Sequence, residues 1–76
     1  MGVDFYTLVR SATGKPLRGG WLDKRQVLAA LRPMGMRREE WRVIGWVDDG
    51  RELRISFEVD AVEFWWAHHP PPGDLT

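Results

Sequence analysis

Apolar and polar positions along residues 41–59 indicate two β-strands joined by a turn. Residues 51–59 alternate, with one face made only of apolar side chains: Leu53, Ile55, Phe57 and Val59. Such alternation is typical of a strand with one buried face. Residues 41–47 have apolar side chains on both faces, with Trp41, Val43 and Val47 on one side and Ile44 and Trp46 on the other. This pattern predicts a central strand, so we expect the second arm to lie at the sheet edge.

The turn of this hairpin contains Asp48-Asp49-Gly50. Glycine adopts positive φ at little cost, so Asp-Gly pairs favour tight turns. A two-residue and a three-residue turn are both compatible with the sequence. The two place opposite faces of the first arm beside Leu53, Ile55 and Phe57, because a one-residue slip reverses a strand.

The N-terminal segment predicts one more strand. Residues 3–10 are rich in β-branched and aromatic side chains, which suit a half-buried sheet. Residues 11–20 contain Gly14, Pro16, Gly19 and Gly20, and this composition predicts a loop or an irregular hairpin return.

A first helix is predicted over residues 24–32. Asp23 and Gln26 have the spacing of a capping box, and Leu22 and Val27 have that of a hydrophobic staple. The apolar stripe repeats at helical intervals, with Val27, Leu28 and Leu31 on one side. Pro33 disfavours helical geometry at Arg32, so we expect the helix to end there.

A second helix is predicted over residues 61–68. Asp60 and Glu63 repeat the cap spacing, and Val62, Trp65 and Trp66 follow at helical intervals. A continued strand is the alternative, since aromatic residues also favour sheets. Residues 70–76 contain three consecutive prolines and predict a Pro-rich, polyproline-type tail after a single globular domain at 1–69.

These elements together predict an α+β fold in the order β-α-β-β-α. Its small three-stranded, mostly antiparallel sheet would be packed by one or two short helices. A chain this short buries only about 60% of its unfolded surface, so self-association into a homodimer would add stability.

The composition excludes several kinds of functional site. The chain has no cysteine, which excludes a disulfide framework, a cysteine zinc site and a thiol nucleophile. The sequence has neither a signal-peptide pattern nor an apolar run long enough to span a membrane, so by elimination we expect a cytoplasmic protein without membrane contact. No residue combination predicts a catalytic centre, and we expect neither a metal nor a cofactor; His68 and His69 are interpreted as a solvated chain end.

The formal charge of zero divides unevenly along the chain. Residues 1–42 hold nine basic and four acidic side chains, a net of +5, whereas residues 43–76 hold two and seven, a net of −5. This asymmetry permits a local basic patch, although pairing of the two halves across the surface is the simpler interpretation.

The five tryptophans are the unusual feature of the composition. Trp41 and Trp46 are predicted core residues of the central strand, and Trp21 would pack under the first helix. Neighbours on a helix lie about 100° apart, so one of Trp65 and Trp66 can face the core while the other is half exposed. The alternative is that both are packed and close a small core with a wide apolar face. An exposed tryptophan is a common anchor at protein interfaces.

Two arrangements would bind nucleic acid. In one, basic side chains around the Gly-rich loop contact phosphates while tryptophans stack on bases. In the other, a helix starting at Met36 completes a winged-helix-like arrangement. The basic residues concerned are Arg10, Lys15, Arg18, Arg25, Arg37, Arg38 and Arg42.

The leading hypothesis is a small non-enzymatic protein-interaction module, such as an accessory subunit, inhibitor or adaptor. It would contact a protein partner through Trp65, Trp66, Arg37 and Arg38. Nucleic-acid binding is the alternative, weakened by the zero overall charge and by Glu39 and Glu40 beside the arginines.

Overall fold

Three strands and two helices follow one another in the predicted order. A computed structural model of the chain describes residues 5–17, 20–34 and 39–69. The elements are β1 (Phe5–Arg10), α1 (Lys24–Met34), β2 (Trp41–Asp48), β3 (Leu53–Asp60) and α2 (Ala61–His68). The strands form one antiparallel sheet in the order β1-β2-β3. The α+β fold, the central position of β2 and the edge position of β3 are thereby confirmed.

The segment between β1 and α1, which we call the return segment (residues 11–17 and 20–23 of the described chain), runs back along the outer side of β1. Leu22 and Tyr6 exchange two backbone hydrogen bonds of 2.8 and 2.9 Å. The Leu17 amide donates to Leu8 at 2.7 Å, and the Arg10 amide donates to Lys15 at 2.9 Å. The predicted irregular hairpin return is therefore present, and it satisfies backbone groups that an edge strand would leave unpaired.

Helix α1 begins at the predicted capping box. The Gln26 amide donates to Asp23 Oδ1 and the Asp23 amide donates to Gln26 Oε1, both at 2.8 Å. The helix extends to Met34, so the prediction that it ends at Arg32 is wrong. Pro33 lies in the last turn, where it interrupts few hydrogen bonds, and the buried Val27, Ala30 and Leu31 hold the preceding turns on the sheet.

Helix α2 has the predicted bounds and the predicted cap. Asp60 is in extended geometry and its Oδ1 accepts the Glu63 amide at 2.7 Å. The His69 amide donates to the Trp65 carbonyl at 2.7 Å and closes the last turn. The local cap therefore outweighs the strand preference of the aromatic residues. The predicted tail at 70–76 lies outside the described residues.

The β2–β3 hairpin differs from the sequence expectation in its loop and in its alternation. The last paired residues are Asp48 and Leu53, so four residues connect the strands instead of two or three. Side chains of this acidic loop cap its own amides, with Asp49 Oδ1 accepting from residues 51 and 52. Ser56 is an extra residue between the pairs Gly45–Phe57 and Trp46–Ile55, which makes a β-bulge.

The bulge moves half of the predicted apolar face of β3 to the opposite side of the sheet. Phe57 and Val59 pair with Gly45 and Val43, on the face that packs against the helices. Ile55 pairs with Trp46, on the face that points away from them. A single inserted residue reverses the alternation beyond it, so the expectation of one continuous apolar face on β3 is wrong.

The core lies between the helices and one face of the sheet. Its largest fully buried side chains come from two strands and the first helix: Leu8 of β1, Val43 of β2, and Val27 and Leu31 of α1. The Phe57 ring lies over Gly45, where an added Cβ would be 2.9 Å from two ring atoms. Glycine at this position therefore lets an aromatic ring seal the edge of the core.

Candidate interaction surface

Neither described helix lies over the second face of the sheet. We call it the open face; its apolar side chains and Thr7 come from alternating positions of the three strands, namely Phe5, Thr7, Val9, Ile44, Trp46 and Ile55. Thr7 and Val9 are buried, and they line a cleft together with Pro16 and Trp21 of the return segment. Ile55, at the other side of the sheet, is 59% exposed. The half of this face near β1 is thus buried beside the return segment, and the half near β3 is open to solvent.

Trp21 lies on the open face because of its position beside Leu22. Leu22 is bonded to Tyr6 and buried with the core, and successive side chains of an extended chain point in opposite directions. Trp21 is therefore directed to the other side of the sheet, where it is 49% exposed. The expectation that it packs under the first helix is wrong.

Trp21 belongs to a small aromatic group. Its ring centroid is 5.8 Å from that of Phe5 and 5.6 Å from that of Trp46, the latter in an edge-to-face arrangement. Trp46 is only partly buried and belongs to this group instead of the core, which corrects its predicted place. Trp41, in contrast, is buried in the core as predicted, with the Arg10 guanidinium 4.5 Å from its ring centroid.

A cleft of about 410 Å³ lies on the open face and is lined by residues of the return segment, β1 and β2. Trp21, Trp46 and Ile44 form its apolar walls, and Thr7 adds a hydroxyl group. The Trp46 Nε1 donor is buried and has no hydrogen-bond acceptor among the described residues. Buried donors in folded proteins are nearly always paired, so this N–H marks a place where an acceptor would be stabilising.

Both C-terminal tryptophans are packed against the core, Trp65 more completely than Trp66. Trp65 is 6% exposed and stacks on His69 with ring centroids 4.3 Å apart. Trp66 is partly buried. Their candidate role in partner binding stays a prediction, and Trp65 has little surface to offer a partner. Arg37 and Arg38, the other candidate contacts, lie outside the described residues.

The basic residues that the structure describes do not gather on one surface. Arg10 and Arg42 project from opposite faces of the sheet, and Arg42 forms a 3.2 Å ion pair with Glu58. Lys15 lies in the return segment and Arg25 on α1, whereas Arg18 is outside the described residues. The start of the helix predicted from Met36 is also outside them; after it, Glu39 and Glu40 form a turn and β2 begins. The winged-helix-like arrangement stays a prediction.

The described residues contain neither a cluster suited to a metal ion nor a membrane-spanning helix. Within the described ranges, no group of three or more His, Cys, Asp or Glu side chains could hold a metal ion. No helix there is long and apolar enough to cross a bilayer.

Comparison with protein-family models, with curated proteins and with solved structures finds no match to this chain. The candidate surface therefore depends on geometry alone. Sequence patterns did not identify Trp21 or Ile55 as exposed. One sequence feature could have indicated the exposure of Trp21: it stands next to the apolar Leu22 in a Gly-rich extended stretch, where neighbouring side chains point in opposite directions. The exposure of Ile55 depends on a bulge that no sequence pattern predicts.

Proposed function

We propose that this chain is a small non-enzymatic protein-interaction module, acting as an accessory subunit, inhibitor or adaptor. Its contact surface would be the tryptophan face, which we define as Trp21, Trp46, Ile44 and Ile55 of the open face. The observation that carries this proposal is the exposure of Trp21 and Ile55, at 49% and 59%, beside an apolar cleft. Large apolar side chains exposed together on a small domain are typical of interaction sites.

The surroundings of the tryptophan face support a protein as its ligand. The apolar centre is bordered by the ion pair of Arg42 and Glu58, whose side chains are 40% and 44% exposed. An apolar centre with a polar, solvent-accessible rim is the usual anatomy of a protein interface. Because the rim charges are already paired with each other, they do not select strongly for an acidic or a basic partner.

The cleft indicates what kind of segment would bind. Its volume of about 410 Å³ accommodates an aliphatic side chain with adjoining backbone. We therefore propose an apolar segment of a partner protein, with one side chain in the cleft.

Site-specific photo-crosslinking tests this proposal. A variant with Trp21→p-benzoylphenylalanine is irradiated in lysate of the native host, beside a control with the same group at Arg51, an exposed residue of the hairpin loop. We expect nuclease-resistant protein adducts from position 21 that are absent from position 51. Adducts at twice the chain mass of 8.8 kDa would identify a second copy as the partner. Equal labelling from both positions would contradict the tryptophan face.

Nucleic-acid binding remains the alternative prediction, supported by the net charge of +5 over residues 1–42. It requires an affinity for DNA or RNA that falls steeply with salt, because phosphate contacts release counterions. Charge reversal of Arg37 and Arg38 would then weaken binding. A fluorescence-anisotropy titration at low salt with no binding to single- or double-stranded oligonucleotides would exclude it.

A further inference from the structure

A second groove lies on the opposite side of the molecule from the tryptophan face, between α1 and α2. It has a volume of about 460 Å³ and is lined by Arg25, Leu28, Ala29, Arg32, Trp65 and His69. Four of these residues stand at positions i, i+3, i+4 and i+7 of α1, so they form one straight stripe along that helix. An arginine stands at each end of the stripe and an apolar patch lies between them.

The charge of this groove has no counter-charge among the described residues. Neither Arg25 nor Arg32 forms an ion pair or a hydrogen bond with another described residue. The groove lining contains no acidic residue, and helix α1 has three basic side chains and no acidic one. On the sheet, by contrast, Arg42 and Arg54 are each paired with a carboxylate, at 3.2 and 3.3 Å. Within the described part of the chain, the groove is therefore a basic surface with two exposed guanidinium groups.

We propose that this groove binds an acidic amphipathic helix of a partner protein. Seven residues of α-helix rise about 10.5 Å, so carboxylates at i and i+7 of a helix lying along α1 match the spacing of Arg25 and Arg32. Apolar side chains at i+3 and i+4 of the same helix would cover Leu28 and Ala29. A helix placed in a groove with such anchors is a common mode of peptide recognition.

A protein helix fits this groove better than a nucleic acid does. Trp65 is 6% exposed and already stacked on His69, so it offers no free face on which a base could stack. The apolar patch between the two arginines would lie against phosphates and sugars without a partner, whereas it would be covered by the apolar side of an amphipathic helix.

Fluorescence anisotropy with designed peptides tests the proposal. The probe is a labelled 18-residue alanine-based helix with Glu at i and i+7 and Leu at i+3 and i+4; control peptides carry Lys for Glu, or Ser for Leu. We expect the full chain to bind the probe, and the double variant Arg25→Glu/Arg32→Glu to bind it about tenfold more weakly. Both substituted residues are exposed, and circular dichroism verifies that the variant is folded.

Two further variants of the chain distinguish binding in the groove from binding elsewhere on the surface. Arg51→Glu carries the same charge change outside the groove and should bind the probe within about twofold of the original chain. Trp21→Ser removes the anchor of the tryptophan face and should also leave probe binding unchanged, so the proposed function and this groove are tested independently. The proposal would be overturned if the Lys and Glu peptides bound equally well, or if the double variant bound the probe as tightly as the original chain. Displacement of the probe by an oligonucleotide would also overturn it.

Discussion

The two faces of the sheet both carry large apolar side chains, but different structures cover them. The helix-covered face packs Leu8, Val43 and Trp41 under two capped helices, and these residues are buried. On the open face, Thr7 and Val9 are buried beside the irregular return segment and Ile55 is exposed, with no described helix over them. The comparison teaches that the two faces of one sheet can differ in use: one face supplies the stability of folding, and the other is the face that we propose as the contact surface for a partner.

The largest expected difference between the faces concerns two tryptophans. Trp65→Ala should lower the free energy of unfolding by roughly 3–5 kcal/mol, because a buried ring is removed from the core. Trp21→Ala should lower it by about 1 kcal/mol, since half of that ring is already in water and its aromatic contacts are few. Urea denaturation of both variants measures the two values. Equal losses would mean that the open face contributes to the core.

Gly45→Ala tests how tightly the helix-covered face is closed. The added Cβ would lie 2.9 Å from atoms of the Phe57 ring, so the ring must move from its place over the strand. Overpacking of this kind costs roughly 1–3 kcal/mol. Thermal unfolding monitored by circular dichroism measures the loss. A companion substitution, Gly20→Ala, meets no atom within 4 Å and should be tolerated far better.

Removing the capping box of α1 should cause the next largest loss of stability. Asp23→Ala removes the acceptor of the Gln26 amide and should cost about 1 kcal/mol, measured by urea denaturation. Asp23→Asn is the matched control, because asparagine also caps helices and should recover most of the loss. If both variants lose the same stability, the charge of Asp23 matters more than its hydrogen bond.

Ile55→Ser should have a small effect on folding. The side chain is 59% exposed, and surface substitutions usually change the free energy of unfolding by less than about 0.5 kcal/mol. The same variant should lose most of the protein adducts formed from position 21 in the crosslinking experiment. A large loss of stability would instead show that the open face is a structural surface, which would contradict its proposed role.

The smallest expected effect is a dependence of stability on pH at His68. Partial burial beside the Phe64 ring, followed by the positive charges of Lys24 and His69, lowers the pKa of His68 below its ordinary value. The unfolded chain therefore binds this proton more readily than the folded chain, so stability should decrease as pH falls through about 6.5. Thermal unfolding of the chain and of His68→Gln between pH 5 and 8 would measure it, and the variant should lose part of the dependence.

Local signals predicted the helix-covered face better than the open one. The capping box of α1, the Asp60 cap of α2 and the helical stripes identified both helices, because each depends on residues three or four apart. The bulge at Ser56 could not be predicted, since it appears only when β3 pairs with β2, and it decides which face receives Ile55. The exposure of Trp21 likewise depends on the pairing of Leu22 with Tyr6, two residues far apart in sequence. Sequence patterns therefore drew attention to the C-terminal tryptophans, whereas the exposed apolar side chains on the open face depend on long-range pairing.

The return segment along β1 has a consequence for how copies of this chain could assemble. Lys15, Leu17 and Leu22 occupy the outer side of β1 with backbone hydrogen bonds, so within the described part of the chain β3 is the strand whose outer side is unoccupied. Two copies joined through β3 would form a continuous six-stranded sheet whose two ends are both blocked. Growth by strand addition would stop at two chains, and the same loop that roofs the cleft would protect the protein against fibre formation.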